Sequence, residues 1–529
     1  MKTINVPYYT SSVEFHIDDM NLKAVLCSKQ DDYKTKKSEE QLILDALHAP
    51  IGTQSLRELA KNKQRVTIVT SDHTRAVPSK VTLPLILEEI RKGNPAADIT
   101  ILIATGLHRA TTEEEQRRMF GDQIVDHEKI VVNNAYDPEQ FDCLGTLPSG
   151  AILNVNKVAV ESDLLITEGL IEPHFFAGFS GGRKSILPGV CDQKTVNENH
   201  SYKAISNRHS KTGVLQHNPI HEDMVAAARM ANVEFILNVV LDKNKKVIAA
   251  FAGDLEEAHL KGVEFLRSLS QREKVIGDIV ITSNGGYPLD QNLYQSPKAV
   301  ATAASCAGEN GVIIMCCSCV DGMGGTNFAK LIRMGTPDEI DSYLSKIPPS
   351  ETIPEQWCPQ IYARILKNHP VILMTTFLPE DQIREANMIP AKTPEEALKI
   401  ALELKGREAQ IVAIPDGVSV LINENIEPKK IALKVNELDN VATVFSNSVC
   451  NGDRIEIRDK KGDIEIIDIL DDIPYGHKVA VCDISKGEDI YKYGEVIGRA
   501  TQIIRKGEYV HIHNLESKRG RGDWKGELE

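Results

Sequence analysis

The stretch EPHFFAGFSGGRKSILPG, from Glu172 to Gly189, combines a histidine, several glycines and adjacent basic side chains. Read from Gly178, it is close to the phosphate-binding pattern G-x-x-x-x-G-K-[ST]. Arg183 stands where the last glycine of that pattern is required, and its side chain would block close approach of a phosphate to the backbone. Glycines that expose backbone N–H groups beside Arg183 and Lys184 still indicate an anion or nucleotide site. A flexible surface loop is the alternative interpretation.

Other residues capable of chemistry also follow short apolar runs. Asp72 and Arg75 follow RVTIVT, His108 follows ITILIAT, and His174 and Lys184 follow DLLITEG. Further along the chain come His200, Gln295 and Lys298. A single loop histidine is usually a surface residue or a satisfied hydrogen-bond partner. Several at successive strand ends predict one shared site.

Such a site would suit an α-hydroxy acid or another small anion. Arg75 can bind a carboxylate bidentately, and Lys298 with Gln295 can hold a second side of the substrate. His108 and His174, on different loops, could flank one carbon as general acid and base. Two bases on opposite faces suit a racemase or epimerase, and they also suit a dehydratase. The residues alone leave both reactions open.

The elements that must position these side chains alternate between strand and helix patterns. Apolar runs such as DIVITSNGG, GVIIMCC and PVILMTTF are separated by amphipathic segments such as VTLPLILEEIRKG, IHEDMVAAARMA and PEEALKIALELKG. This alternation predicts an α/β fold with parallel sheets. In such sheets ligands bind beyond the carboxyl ends of the strands.

Composition restricts the class of protein. The net charge of −14 argues against nucleic acid as a partner. No apolar run of membrane-spanning length and no signal-peptide core is found, so we expect a cytoplasmic protein without a membrane partner. Ten scattered cysteines fit a reducing compartment. Cys316, Cys317 and Cys319 follow an apolar run and are predicted to be core or pocket-lining thiols rather than metal ligands.

The composition becomes β-rich near Ile426. KIALKVNE, VATVFSN, DRIEIRDKKGDIEIIDI, HKVAVCDI and EYVHIHN alternate apolar and polar residues. We therefore predict an N-terminal α/β domain with the cofactor-binding loops at 1–270, a second α/β domain closing the site at 271–426, and a small β domain at 427–529. In the last of these, His511 and His513 would share one face of a strand, where they could bind a metal or a sugar acid or be a structural pair.

The motifs SDHTR, TGLHR, EPHFFAGFSGGRKSILPG, NENH, YQSPK and EQWCPQIYARIL resemble, in order and spacing, those of the lactate racemase family, the nickel-pincer-nucleotide hydroxyacid racemases and epimerases. The resemblance extends to about residue 423 and implies a two-domain parallel-sheet α/β core. It also implies a mononucleotide cofactor whose pyridinium ring carries sulfur-bearing arms that bind nickel. One arm would be joined to Lys184 as a thioamide, and His200 would ligate Ni(II), which favours N/S coordination.

The resemblance implies roles for the other residues as well. His108 and His174 match the paired catalytic bases. The remaining matches are Asp72, Gly181, Gly182 and Arg183 at the cofactor, and Arg75, Tyr294, Gln295, Lys298 and Trp357 at the substrate. Trp357 could equally be a core residue. The implied reaction is a hydride shuttle that leaves a planar 2-keto acid, which turns its other face before the hydride returns and C2 is inverted.

The segment IPYGHKVAVCDISKGEDIYKYGEVIGRATQIIRKGEYVHIHN resembles the SAF-type domain of altronate and galactarate dehydratases. Their large catalytic domain has no counterpart in the chain, so dehydration is not implied. The fusion indicates a sugar acid such as gluconate, mannonate or altronate as the hydroxy acid that is inverted at C2. The alternatives are a lactate or malate racemase, a sugar-acid hydro-lyase and a non-catalytic sugar-acid-binding protein. A homo-oligomer is possible.

Overall fold

The computed structural model describes residues 1–423, 430–446, 449–460 and 464–517. The chain divides into two compact units, Met1–Glu424 and Asn425–Glu529. No helix within the described ranges is long and apolar enough to cross a membrane. The predicted boundary at residues 426 and 427 falls between the described ranges.

The first unit contains two six-stranded sheets. The first sheet has the order Val247–Gly253, Val233–Leu241, Leu164–Leu170, Arg65–Ser71, Asp98–Ala104 and Lys129–Val132. Its strands pair in parallel except for the first two, which pair antiparallel. Leu164–Leu170 is buried at every position, as expected for a central strand that is covered on both faces.

The second sheet is parallel throughout. Its order is Ile389–Ala391, Val371–Met374, Ala307–Cys316, Gly277–Ser283, Ile411–Ile414 and Leu22–Val25. The edge strand Leu22–Val25 comes from the start of the chain, and the hairpin of Lys2–Tyr8 and Ser11–Ile17 packs in the same core. The first 25 residues therefore lie with the second sheet, which differs from the predicted assignment of 1–270 to one N-terminal domain.

Helices cover these sheets, as the amphipathic segments predicted. Their bounds are Glu39–His48, Leu56–Leu59, Ser79–Gly93, Glu113–Phe120, Asp122–His127, Lys157–Val160, Gln193–Asn199, Tyr202–Ile205, Pro219–Met230, Glu257–Ser270, Pro297–Cys306, Thr326–Ile332, Pro337–Leu344, Trp357–Leu366, Glu380–Glu385 and Pro394–Lys405. Local capping sets several starts; Thr112 and Thr336, for example, each begin a helix with a complete capping box. The remaining short two-stranded pairs are Phe141–Thr146 with Ile152–Asn156, Pro173–His174 with Gly178–Phe179, and Gln271–Glu273 with Leu421–Asn423.

The second unit is built from strands alone in its described part. One sheet has the order Ile464–Asp468, Arg454–Arg458, Ile431–Leu433, Val441–Val444, Lys478–Ala480 and Tyr509–Val510. The other contains Asp489–Lys492, Glu495–Ala500 and Leu515–Ser517. A parallel-sheet α/β core followed by a small β-rich domain confirms the predicted fold class.

One prediction for this unit is wrong. His511 and His513 do not share the face of a strand, because the strand ends at Val510 and the chain turns. The backbone N–H groups of Asn514 and Leu515 both donate to the carbonyl oxygen of His511, at 3.0 and 2.8 Å. These hydrogen bonds within a turn replace the bonds between strands that the alternation of apolar and polar residues had predicted.

Candidate active site

A cavity of about 230 Å³ lies where loops from both sheets of the first unit meet. The loops that follow Arg65–Ser71, Asp98–Ala104, Leu164–Leu170 and Gly277–Ser283 all reach it. The predicted site residues in its wall are Asp72, Arg75, His108, His174, Gly181, Lys184, His200, Tyr294, Gln295, Lys298 and Trp357. Carboxyl ends of parallel strands thus bring together residues that are far apart in sequence.

His108 is held by a buried carboxylate. Oδ2 of Asp72 lies 2.6 Å from Nδ1 of His108, and Asp72 is 2% exposed. Thr74 donates to Oδ1 of Asp72 through its backbone N–H and its hydroxyl. Burial alone would raise the pKa of Asp72, but the bonds from His108 and Thr74 and the nearby Arg75 lower it to about 2. The ionised carboxylate only accepts, so Nδ1 of His108 carries the proton and Nε2 is free to act as a base.

His174 has a different hydrogen-bond environment. The backbone N–H of Ala177 donates to Nδ1 of His174 at 3.2 Å, so a neutral ring carries its proton on Nε2. Burial lowers the pKa of His174 well below its usual value, and the cations Lys184 and Lys298 act in the same direction. The two candidate bases therefore present different tautomers in this state, one with an acceptor and the other with a donor at Nε2.

Lys184 extends into the cavity from a short turn, Gly182–Ser185, whose shape depends on glycine and on Asn238. The buried side chain of Asn238 accepts from the N–H of Gly182 at 2.8 Å. Burial lowers the pKa of Lys184 well below its usual value, and Arg183, Arg75 and Lys298 lower it further. The lowered pKa favours the neutral form of the amine, which is the nucleophilic one.

Gly182 and Arg183 do not line the cavity, which differs from their predicted contact with a cofactor. Arg183 is 1% exposed and points into the interior. Its guanidinium donates to the carbonyl oxygens of Ala177 and Gly181 at 2.9 and 3.0 Å. It also contacts ring nitrogens of His221 and His259, at 3.0 and 3.1 Å. Arg183 thus binds the loop's own backbone, because the chain turns at Gly181 and places successive side chains on opposite sides.

His200 lies at the end of the helix Gln193–Asn199 and is 4% exposed. The rings of Phe176 and Trp357 pack edge-on against it, with centroids 4.9 and 5.0 Å away. Burial and the nearby Lys184 lower the pKa of His200 to about 3, so the imidazole is neutral. Its Nδ1 atom is buried and has no hydrogen-bond partner among the described residues. A neutral, unpartnered imidazole nitrogen fits a metal ligand.

The second sheet supplies the opposite wall of the cavity. Tyr294 and Gln295 lie on a short turn, and Lys298 is in the first turn of the helix Pro297–Cys306. The indole N–H of Trp357 donates to the hydroxyl of Tyr294 at 3.0 Å, so Trp357 is both a wall residue and a support. Burial and the nearby Arg75 lower the pKa of Lys298 to about 8. Arg75 and Lys298 both line the cavity, so the two cations face a ligand bound there.

Several wall residues were missed by sequence reasoning. They are Ser71, Leu107, Tyr136, Glu172, Phe175, Phe176, Ser180, Ser185, Glu355 and Cys358, among others. Glu172 and the two phenylalanines belong to the glycine-rich stretch that was singled out, so their proximity was a usable signal. Glu355 opens the quoted motif EQWCPQIYARIL and could have been found there, whereas Tyr136 offered no signal because it lies in a loop without a motif.

The three cysteines that follow an apolar run behave as expected of interior thiols. Cys316, Cys317 and Cys319 are buried, and the sulfur atoms of Cys317 and Cys319 lie 3.4 Å apart. Across the part of the chain that the structure describes, no group of three or more histidine, cysteine or acidic side chains is arranged to hold a metal ion.

Gly181 provides a test of the turn that carries Lys184. A Cβ atom there would lie 2.7 Å from Oδ1 of Asn238 and 3.0 Å from the carbonyl oxygen of Leu170, at a φ of +81°. We expect Gly181→Ala to lower the free energy of unfolding by roughly 2–5 kcal/mol, the sum of left-handed strain and overpacking. Gly121→Ala is the matched control, since its φ is +86° and nothing lies within 4 Å of its Cβ. Urea unfolding should show a loss of only about 1–2 kcal/mol for the control, and equal losses would contradict the assigned clash.

Comparison with known proteins agrees with this geometry. Residues 8–213 match the family model "Lactate racemase N-terminal domain", and residues 272–422 match "Lactate racemase C-terminal domain". The lactate racemase of Thermoanaerobacterium thermosaccharolyticum is 48% identical over 425 residues, which is 80% of this chain and 100% of the relative. The lactate racemase of Lactiplantibacillus plantarum is 45% identical over 423 residues, with the same coverage. The solved apoprotein structure of the Thermoanaerobacterium enzyme superposes with a TM-score of 0.78 at 47% identity, covering 80% of this chain and 100% of that one.

The C-terminal unit has different relatives. Residues 430–518 match the family model "Altronate/galactarate dehydratase SAF domain". The altronate dehydratase of Escherichia coli is 35% identical over 85 residues, but only 16% of that enzyme is covered. The full-length match of the first unit, together with the residues that line its cavity, determines the assignment: the chain is an isomerase that belongs to the lactate racemase family and carries an altronate/galactarate dehydratase SAF domain after its racemase core.

Proposed function

We propose that the protein racemises a small 2-hydroxy carboxylate such as lactate at C2, using a nickel-pincer nucleotide attached to Lys184. The observation that carries this proposal is the convergence of His108, His174, Arg75 and Lys298 on one cavity beside the buried amine of Lys184. The two imidazoles can accept and return the proton of the substrate hydroxyl. The side chains of Arg75 and Lys298 can hold its carboxylate.

The residues present fit that cofactor. Lys184 supplies a buried amine with a lowered pKa for the thioamide, and His200 supplies a buried imidazole nitrogen without a partner among the described residues, which suits nickel beside sulfur donors. When bound, the nucleotide would supply a pyridinium ring able to accept and return a hydride. The aromatic wall of Phe175, Phe176 and Trp357 would keep water from the reacting carbon.

The protein's own groups would manage the proton. With Asp72 holding the proton of His108 on Nδ1, Nε2 of His108 can take the hydroxyl proton of one substrate enantiomer. His174 would serve the other enantiomer from its own loop. To act as a base at Nε2, His174 must move its proton to Nδ1 and release the N–H of Ala177. Both events are local changes in the loop that also carries Lys184.

A small acid has more support as substrate than a sugar acid. The predicted preference for gluconate, mannonate or altronate depended on the SAF domain. Relatives named altronate dehydratase match over only 16% of their own length, whereas two relatives named lactate racemase match over all of theirs. The alternative of a lactate or malate racemase is therefore preferred.

The experiment is chiral chromatography of lactate, malate, gluconate and altronate after incubation with protein produced together with cofactor biosynthesis enzymes. We expect interconversion of the two lactate enantiomers. Inversion of a sugar acid without any lactate racemisation would restore the sugar-acid prediction. Formation of a 2-keto-3-deoxy acid would instead indicate a hydro-lyase and contradict the proposal.

Deprotonation of Lys298 should cause the fall of kcat/KM at alkaline pH. Its pKa of about 8 means that the ammonium is charged below pH 8 and neutral above it. A carboxylate is attracted only by the charged form, so kcat/KM for lactate should fall about tenfold per pH unit above 8. In Lys298→Arg this limb should move beyond pH 9, because a guanidinium stays charged. If the alkaline fall of kcat/KM stayed at the same pH in that variant, a group other than Lys298 would be responsible for it.

A further inference from the structure

A second cluster of titratable side chains lies in the C-terminal unit. Two segments supply it: His477 and Lys478 at the start of one strand, and Tyr509, His511 and His513 on the neighbouring segment. The strands pair antiparallel, with Lys478 opposite Val510 and Val479 opposite Tyr509. We call these five residues the histidine cluster.

The rings of the histidine cluster pack against one another, and one pair of them is stacked. The centroids of His477 and His511 are 5.0 Å apart, and those of Tyr509 and His511 are 5.4 Å apart with planes 21° from parallel. His513 lies 5.4 Å from Tyr509, and Nδ1 of His477 bonds the Tyr509 hydroxyl. Among the described residues, these side chains do not form a group of three or more ligands arranged to hold a metal ion.

A buried asparagine fixes the turn that presents two of these rings. Asn514 is 2% exposed, and its side chain accepts from the N–H of His511 at 3.0 Å and donates to the carbonyl oxygen of Tyr509 at 2.9 Å. The positions of His511 and His513 are thereby set by the backbone rather than by chance contacts on a mobile surface.

Four of the five residues in the cluster, His477, Lys478, His511 and His513, have basic side chains. Burial lowers the pKa of His511, and His477, Lys478 and His513 each lower it further. The acidic side chain of Asp471 accepts a hydrogen bond from the backbone N–H of Tyr509, not from a ring of the cluster. No side chain among the described residues bonds the ring nitrogens of His511. The chain as a whole has a net charge of −14, yet these basic side chains lie together and no carboxylate of the described residues bonds their rings. Such a group of bases indicates a site for an anion.

We propose that the histidine cluster binds a small carboxylate, at a site formed by residues of the C-terminal unit alone. Imidazole N–H groups and the Lys478 ammonium would donate charge-assisted hydrogen bonds to it. The Tyr509 ring would provide a flat neighbouring surface. The SAF domain would then bind an acid independently of the racemase chemistry.

The test is isothermal titration of the full-length chain carrying Arg75→Met and Lys298→Met, which remove the carboxylate-binding cations of the racemase cavity. The probes are sodium galactarate and sodium lactate at constant ionic strength. We expect saturable binding of at least one probe at one site per chain. His477→Gln with His511→Gln should weaken it roughly tenfold or more, as expected for loss of charge-assisted bonds. His127→Gln, an exposed histidine of the first unit, is the control.

His513→Gln is a second variant, because His513 is exposed and its replacement should leave the stack folded. It should weaken binding by a smaller factor at an unchanged thermal midpoint. Absence of saturable binding of both probes would overturn the proposal. So would binding that the histidine variants leave unchanged, or tight binding of Zn²⁺ that these variants abolish.

Discussion

Lys184→Ala is expected to abolish racemisation and covalent cofactor attachment together. Its amine lies in the cavity wall, and burial lowers its pKa well below the usual value, which favours the nucleophilic form. Intact-mass analysis of protein produced with the cofactor biosynthesis enzymes should show a cofactor-sized addition in the wild type and none in the variant. Bound nickel should fall in parallel.

Lys298→Ala is the matched control, because Lys298 is the second lysine in the same cavity wall. It should retain the mass addition and nickel while losing affinity for the substrate carboxylate. If the addition persisted in Lys184→Ala, the attachment site would be wrong. If it disappeared in both variants, the loss would reflect damage to the cavity rather than to one bond.

Replacement of His108 or His174 by glutamine is expected to reduce racemisation by roughly 10²–10⁴-fold, the usual contribution of general acid–base catalysis. The two variants should nevertheless differ in a single turnover. In His174→Gln, the enantiomer served by His108 should still yield enzyme-bound keto acid after acid quench, and the other enantiomer should not. His108→Gln should show the reverse preference.

Asp72→Asn supplies the control for this asymmetry. The variant removes the carboxylate that holds the proton of His108 on Nδ1, so it should impair the same enantiomer as His108→Gln, but less severely. If both histidine variants formed keto acid from the same enantiomer, the prediction that each histidine serves a different enantiomer would be wrong.

The sequence predicted which residues meet at the cavity better than it predicted the hydrogen bonds between them. His108, His174, Lys184 and His200 each follow an apolar run or lie in a local motif, and parallel-sheet geometry then requires strand-end residues to converge. The bond between Asp72 and His108 was not predicted, because it depends on the adjacency of two strands in the sheet. The role given to Asp72 at the cofactor accordingly did not include its contact with His108.

Arg183 shows the same limit in another form. A basic residue between glycines suggested contact with an anion, but the direction of its side chain is set by partners outside the loop. His221 and His259 lie 38 and 76 residues further along the chain, and their ring nitrogens meet the guanidinium in the interior. His511 is the corresponding case in the small domain, where the side chain of Asn514 ends a strand that alternation would have continued.

The edge strand Leu22–Val25 has a consequence for biosynthesis. Its partner is Ile411–Ala413, on the order of 390 residues later in the chain. At typical translation rates the ribosome needs roughly 20 to 80 s to make that interval. The first sheet can form during this time, while the N-terminal strand remains without its neighbour. The wall that carries Tyr294 and Lys298 therefore acquires its final support late, so cofactor loading should follow release of the racemase core from the ribosome rather than accompany its synthesis.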